Sequence, residues 1–466
     1  MALLHSHDPA TGALVGSVPV TAPAEVSAVV ARARAAQPAW AERTLLERAA
    51  LLRPVGRALR ADIPALAELL TREMGKPLAD ATGEVTACAE GWGETVDEIV
   101  EALAPETLRD ERTHTTMLFD PLGVCAAITP WNFPMLMPQD SVLPALLAGN
   151  TVVLKPSEET PLIAEAWARH VSAVLPPDVL QVIHGDRETG RALVAADVDL
   201  IVFTGSRAAG AHILQAAAHG LKRVILELGG KDPLIVLRDA DLEAAATFAV
   251  RNSFRNAGQV CVSTERIYVD RAVAEPFIDL VCRKTRELTQ GPGTEPGIQI
   301  GPMISARQKE AVLRQVAAAK AAGARVVVGD EPAPGNFVRP AVVVDVNHSM
   351  DLMREETFGP VACIVPVQDA DEAVRLANDS PYGLGAAVFG ADVANAERVA
   401  RRIRAGMVGV NRGCGGAKGS PWVGARQSGY GFHSGRAGHR QFAQVRVVSR
   451  PIAPPPAPVE RAATGG

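Results

Sequence analysis

No run in this chain stays apolar over the ~18 residues that a bilayer crossing requires, and the start, MALLHSHDPATG, lacks the basic and apolar regions of a signal peptide. The expectation is a soluble, cytoplasmic protein. Cysteine is sparse: Cys88, Cys125, Cys261, Cys282, Cys363 and Cys414 lie far apart, with no CxxC and no Cys/His pair at ligand spacing. Reduced thiols and no metal are expected. Charge of one sign is also missing, since 47 Lys and Arg against 52 Asp and Glu leave a formal net charge of −5 without a basic run or an acidic tail. This disfavours nucleic acid and membrane surfaces as partners and favours small molecules.

What is present is 466 residues, room for two or three domains and a cleft between them. From about Thr44 to Leu103, stretches such as LLERAALLRPVGRALRADIPALAELLTREM place apolar residues three and four apart, as one buried helix face does. From Gly123 onward the short apolar runs GVCAAIT, TVVLKP, VLQVIHG, LIVFTGS and RVILELGG alternate with helix-length segments, one of them Thr160 to Leu175. That alternation predicts an α/β fold with a doubly wound parallel sheet. After Lys231 a second set, PLIVL, RIYVD, ARVVVG, AVVVDV, ACIVPV and GAAVFG, predicts a second α/β domain. The Pro- and Ala-rich end, residues 454–466, reads as a poorly ordered tail.

Open parallel sheets bind ligands beyond the carboxyl ends of their strands. Three strands here end in ITPWNFP, KPSEETP and FTGSRAAG. The last puts Gly205, Ser206 and Gly210 where a helix begins, so N–H groups and a hydroxyl could meet a phosphate. GxGxxG is missing, however, and taken alone this stretch reads first as a tight strand-to-helix turn. KPSE adds Lys155 and Glu158 at a strand end, where a carboxylate can accept from both hydroxyls of an adenosine ribose. Together they describe a nucleotide site.

Cys261, in NAGQVCVSTER, follows a polar turn and opens onto a strand. Glu227 ends an apolar run in LELGGKDP, where a carboxylate needs a reason to be. A thiolate attacking a carbonyl needs an oxyanion donor, and the resulting thioester needs a base to activate water. Asn132 of PWNFP supplies a candidate donor and Glu227 a candidate base. A cysteine hydrolase would need a His partner, and the central motifs contain none.

ITPWNFP, KPSEETP, FTGS, LELGGK, NAGQVC, EETFGPV and SPYGLGAAVFG stand in the order, and at roughly the spacing, of the NAD(P)-dependent aldehyde dehydrogenase superfamily. The chain resembles that family from about Asp8 to Val448, nearest its succinate-semialdehyde dehydrogenase-like branch. The resemblance implies Cys261 as nucleophile, Glu227 as base, and Asn132 with the Cys261 N–H as oxyanion hole. It implies cofactor contacts from Thr129, Trp131, Lys155, Ser157, Glu158, Phe203, Gly205, Ser206, Gly210, Leu228, Glu356 and Phe358. NAD is expected over NADP, because Glu158 would repel a 2′-phosphate.

The implied domains are 1–103 with 122–229 for the cofactor and 230–428 for catalysis. Residues 104–121 and 440–453 would form a small oligomerisation β-hairpin, joining copies into a homodimer or homotetramer. The substrate side would use Phe133, Arg255, Asp140 and Trp422. Arg255 matches a carboxylate-gripping arginine, with a salt bridge to Asp140 or another acid as its structural alternative. A second arginine of that branch is replaced by Asp140, whose charge opposes an anionic substrate. The family's PFGGxKxSG is here PWVGARQSG, and Gly431-Phe432-His433 replaces Gly-Arg-Glu. Broad activity on small aliphatic aldehydes follows, with succinate semialdehyde bound weakly. A CoA-acylating enzyme or a catalytically silent binding relative are the alternatives.

Overall fold

The N-terminal helices pack onto a parallel sheet because alternate residues of its strands face opposite ways. In the computed structural model, which describes residues 2–452, Cys125 and Ala127 of the strand Val124–Ile128 join one buried cluster with Trp40, Trp92 and Trp167. Their neighbours Val124 and Ala126 join another with Val26, Val30 and Ile213. A sheet buried on both faces is the doubly wound arrangement, and its strands are accordingly apolar throughout. The expected tail, 454–466, and residue 453 of the expected hairpin lie outside the described residues.

This sheet has six strands in the order Gly429–Tyr430, Arg223–Glu227, Leu200–Thr204, Val124–Ile128, Thr151–Lys155 and Leu180–Val182. All pair in parallel except Gly429–Tyr430, which returns from the far end of the chain to run antiparallel beside Arg223–Glu227. A second sheet has seven strands, ordered Arg325–Val328, Ala341–Val344, Val361–Val367, Thr264–Asp270, Asp232–Val236, Gly385–Phe389 and Met407–Val410. Its first pair alone is antiparallel.

Helix boundaries follow local chemistry. Thr44 and Glu47 form a capping box at the start of Leu45–Leu52, and Gly75, at φ 89°, ends Ile63–Met74 in the left-handed region. The helix expected over Thr160 to Leu175 runs Pro161–Ser172, its first N–H groups at Leu162 and Ile163 held by the buried Glu73 carboxylate.

The expected hairpin is instead a three-stranded antiparallel sheet, with Thr113–Pro121 between Glu106–Arg109 and Ala443–Pro451. The short ETLR strand was not foreseen because four residues, three of them exposed, carry no legible alternation. An N-terminal hairpin, Leu3–His7 with Leu14–Pro19, is a further addition. No described helix is long and apolar enough to cross a membrane.

Candidate active site

Cys261 lies half-buried in the turn between the 3-10 segment Arg255–Gly258 and the strand Thr264–Asp270. Glu227 closes the strand Arg223–Glu227 in the other sheet. The two sheets meet here at LELGGK. A Cβ on Gly230 would lie 2.4 Å from the Cys261 carbonyl oxygen, and one on Gly229 would lie 2.2 Å from the Glu356 carboxylate. Those two glycines therefore let the segment that follows Glu227 abut Cys261 on one side and Glu356 on the other.

A single cavity of about 710 Å³ gathers Cys261, Asn132 and Glu227. The same cavity is lined by Trp131, Gly205, Ser206, Leu228, Glu356 and Phe358, and by Phe133, Asp140, Arg255 and Trp422. Thr129, Lys155, Ser157, Glu158, Phe203 and Gly210 line no part of it.

Glu227 is 4% exposed and neither carboxylate oxygen has a partner. Loss of solvent pushes its carboxyl well above the usual range, and burial likewise raises the Cys261 thiol. Asn132 is buried, and its Nδ2 donates to the Gln259 carbonyl at 3.1 Å. An amide nitrogen carries two protons, so one remains for an incoming oxygen. The Cys261 N–H donates to no other group among the described residues.

One further hydrogen bond ties the Asn132 loop to the Cys261 loop, from Asn256 Nδ2 to the Asn132 carbonyl at 3.3 Å, and the same nitrogen donates within its own loop to the Gln259 carbonyl, also at 3.3 Å. Asn256 and Ala257 hold left-handed backbone at φ 53° and 54° to make that approach.

The phosphate turn differs from its sequence reading. Gly205 N–H donates to the Glu227 carbonyl at 3.0 Å and Gly210 N–H to Ser206 O at 3.0 Å, so neither is free for a ligand. Ser206 caps the helix Arg207–Ala218 by accepting from Ala209 N. The N–H groups left over in that first turn belong to Arg207 and Ala208. Gly210 is needed for packing, since a Cβ there would lie 2.5 Å from Leu228 Cδ2.

Lys155 Nζ donates to Pro156 O at 3.1 Å and lies 3.7 Å from the Glu158 carboxylate, which is 40% exposed. Ser157 Oγ accepts from Glu159 N, and the Thr129 hydroxyl is buried without a partner. Leu228 has its N–H taken by Ser428 O at 2.8 Å, which leaves its carbonyl. Trp131 meets Phe358 edge to face at 5.4 Å, and Trp422 stacks on His433 at 6.5 Å. Burial pushes His433 down to about 4, so it is neutral in the wall.

The salt bridge offered as an alternative for Arg255 is absent among the described residues. Arg255 is exposed, and its guanidinium lies 5.7 Å from the Phe133 ring centroid. Asp140 is half-buried, and burial alone pushes it up to about 7.

Two buried lysine–glutamate pairs went unnoticed in the sequence. Lys76 Nζ donates to Glu84 Oε2 at 2.6 Å and to the Asn132 carbonyl at 2.8 Å, while Glu84 Oε1 accepts from Met135 and Leu136 N–H. Lys231 pairs with Glu265, whose carboxylate accepts from Thr357 and Phe358 N–H. The available signal was a carboxylate on an apolar face: Glu84 sits among Ala81, Val85 and Cys88 of its helix. Ser428 was missed too; its hydroxyl donates to Gly229 O at 2.7 Å and accepts from Gly383 N. No cluster of three potential metal ligands occurs among the described residues.

The aldehyde dehydrogenase family profile matches residues 2–448. The chain is 38% identical over 449 residues, 95% of itself and 91% of the relative, to the "Probable succinate-semialdehyde dehydrogenase (NADP+)" of Sinorhizobium fredii. It is 36% identical to "Aminoaldehyde dehydrogenase 2, peroxisomal" of Pisum sativum, over 96% of this chain and 92% of that one. It superposes on the crystal structure of succinate-semialdehyde dehydrogenase from Burkholderia pseudomallei with a TM-score of 0.93 and 37% identity, covering 96% of this chain and 94% of the other. With a cysteine, a carboxylate and an amide converging in the cleft of the same fold, the chain belongs to the aldehyde dehydrogenase family and is an aldehyde dehydrogenase.

Proposed function

We propose that the enzyme oxidises a small aliphatic aldehyde or semialdehyde, such as succinate semialdehyde, to the carboxylic acid through a covalent adduct on Cys261. The observation that carries this reading is the convergence of Cys261, Asn132 and Glu227 on one cavity that also holds Trp131, Glu356 and Phe358. The Cys261 thiolate adds to the aldehyde carbon, and the carbonyl oxygen, now an oxyanion, accepts from the second Asn132 amide proton and the Cys261 N–H.

The rest of the wall fits a nicotinamide nucleotide. Gly229 leaves the space that Glu356 occupies, the Leu228 carbonyl is available to a carboxamide, and the Arg207 and Ala208 N–H groups suit a pyrophosphate. When bound, NAD(P) supplies the oxidant that takes hydride from the thiohemiacetal and leaves a thioester. Glu227, unpartnered and buried, takes a proton from water, which then attacks the thioester carbon and releases the acid and the Cys261 thiolate. A base in this place favours water over coenzyme A as acceptor. Glu158 favours NAD over NADP, although the Sinorhizobium relative is named for NADP+.

At the substrate end, Arg255 attracts a distal carboxylate and Asp140 opposes it, which favours broad use of uncharged short aldehydes. Self-association is proposed through the outer strand Ala443–Pro451, whose Val445, Val447 and Val448 are exposed on an open edge. A homodimer or homotetramer working in the cytoplasm is the expected form. NADH fluorescence with a panel of aldehydes tests the central reading. Absence of any aldehyde-dependent NADH or NADPH from folded enzyme would sink it.

A further inference from the structure

Lys76 and Glu84 are 1% and 3% exposed at their side chains, on and just before a helix whose buried face is otherwise apolar. Two charges out of water are costly, and packing one helix on another does not require them. What they touch is the backbone of one short loop. Lys76 donates to the carbonyl of its first residue, Asn132, at 2.8 Å. Glu84 Oε1 accepts from Met135 and Leu136 N–H, each at 3.1 Å, where the helix Leu136–Leu147 begins. The Lys76 ammonium also lies 4.2 Å from the Phe133 ring centroid.

The loop is thus gripped at both ends by a pair that is itself neutral overall. From the nucleophile side, Gln259 O and Asn256 Nδ2 hold Asn132 by its amide and its carbonyl. The Gln259 carbonyl turns the amide, while the place of Asn132 itself follows from how the backbone of residues 132–136 is held. We infer that the Lys76–Glu84 pair is a positioning element for the oxyanion donor, setting Asn132 against Cys261 by holding residues 132–136 at both ends. This rests on the reading of Asn132 proposed above. Neither Lys76 nor Glu84 lines the cavity, so they act through the loop they hold, whose Asn132, Phe133 and Leu136 do line it. A misplacement of ~1 Å in such a group costs about 100-fold in rate.

The test uses the full-length enzyme with both charges removed together, Lys76→Met/Glu84→Gln, because taking away the whole pair spares the fold more than taking one member. Three quantities are read: kcat with a short aldehyde, the rate of Cys261 alkylation by iodoacetamide followed by mass spectrometry, and kcat in the background of Asn132→Ala. Alkylation needs the thiolate but no oxyanion donor. The expected result is a fall in kcat of about 30- to 100-fold with alkylation changed less than twofold. Added to Asn132→Ala, the pair of substitutions should cost less than twofold more, since groups acting as one unit are not additive.

A kcat within threefold of wild type, or a full further loss on top of Asn132→Ala, would overturn the inference. A parallel loss of alkylation would also overturn it, by showing general damage. If Asn132→Ala by itself leaves turnover intact, the failure lies with the proposed function instead. Should the paired variant be insoluble, Glu84→Asp keeps the charges and shortens the reach to Met135 and Leu136. The same three readings then decide.

Discussion

The loop that carries Asn132 and the loop that carries Glu356 and Phe358 are held by the same device from different sides of the cleft. In each, a buried lysine neutralises a buried glutamate, and the glutamate accepts from two consecutive backbone N–H groups: Met135 and Leu136 in one, Thr357 and Phe358 in the other. They differ in origin. Lys76 and Glu84 are 8 residues apart near the start of one helix, whereas Lys231 and Glu265 are 34 apart, at the heads of neighbouring strands. They differ also in load, since the first grips the loop of Asn132, the proposed oxyanion donor, and the second grips Thr357 and Phe358 in a loop proposed to meet the cofactor. A buried ion pair is weak evidence for stability. Two such pairs, each aimed at a functional loop, point to placement as their use.

The sharpest way to calibrate the two loops is first to remove the chemistry between them. Cys261→Ala should form no NADH, while Glu227→Gln should release about one equivalent per site and then turn over ~100- to 10,000-fold more slowly, as loss of a general base does. Rapid-mixing absorbance at the NADH band distinguishes the two, and full steady-state turnover by Glu227→Gln would remove it from its role. Burial raises both Cys261 and Glu227, and each works deprotonated, so wild-type turnover should climb as pH rises through the alkaline range.

Next in size is the contrast between the clamps. Lys231→Met/Glu265→Gln should raise KM for NAD about 10- to 100-fold with kcat changed far less, the reverse of the pattern expected at Lys76 and Glu84. Equal effects on kcat from both paired variants would break the comparison. Smaller again is the effect at the far end of the cofactor. Glu158→Ala should shift the NAD-to-NADP ratio of specificity constants toward NADP by about tenfold, or about 1.4 kcal/mol. Wild-type enzyme with equal constants for the two would defeat this.

The smallest expected effect lies at the mouth. Asp140, pushed up to about 7, is neutral below that pH and charged above it. KM for succinate semialdehyde should therefore rise about fivefold between pH 6 and 8, with no such change for an uncharged aldehyde. Asp140→Asn should abolish the rise, and Arg255→Ala should raise KM for the semialdehyde alone. If Arg255→Ala weakens both aldehydes equally, Arg255 has no part in holding a carboxylate.

Much of the fold was legible because it is written locally. Short continuous apolar runs such as VCAAI and LIVFT became strands whose alternate residues enter different cores, and three- and four-residue spacing became the helical block. Met407–Val410 and Glu106–Arg109 were missed because four residues with a glycine or mostly exposed side chains carry too little pattern. Gly210 was misread because a glycine after a strand looks the same whether it approaches a phosphate or, as here, the Leu228 side chain.

By itself, then, the sequence determined most of the elements and their order, and that one cysteine stands in a turn and one carboxylate at a strand end, since propensity, periodicity and turn chemistry act over a few neighbours. Only the tertiary structure decided what those groups face. The partner of the Asn132 amide is a carbonyl 127 residues away, Lys76 reaches a carbonyl 56 residues away, and Glu265 accepts from a loop 92 residues on. Those meetings are made by the way two sheets bring their strand ends together, and a hydrogen bond forms only between groups that packing has already placed about 3 Å apart.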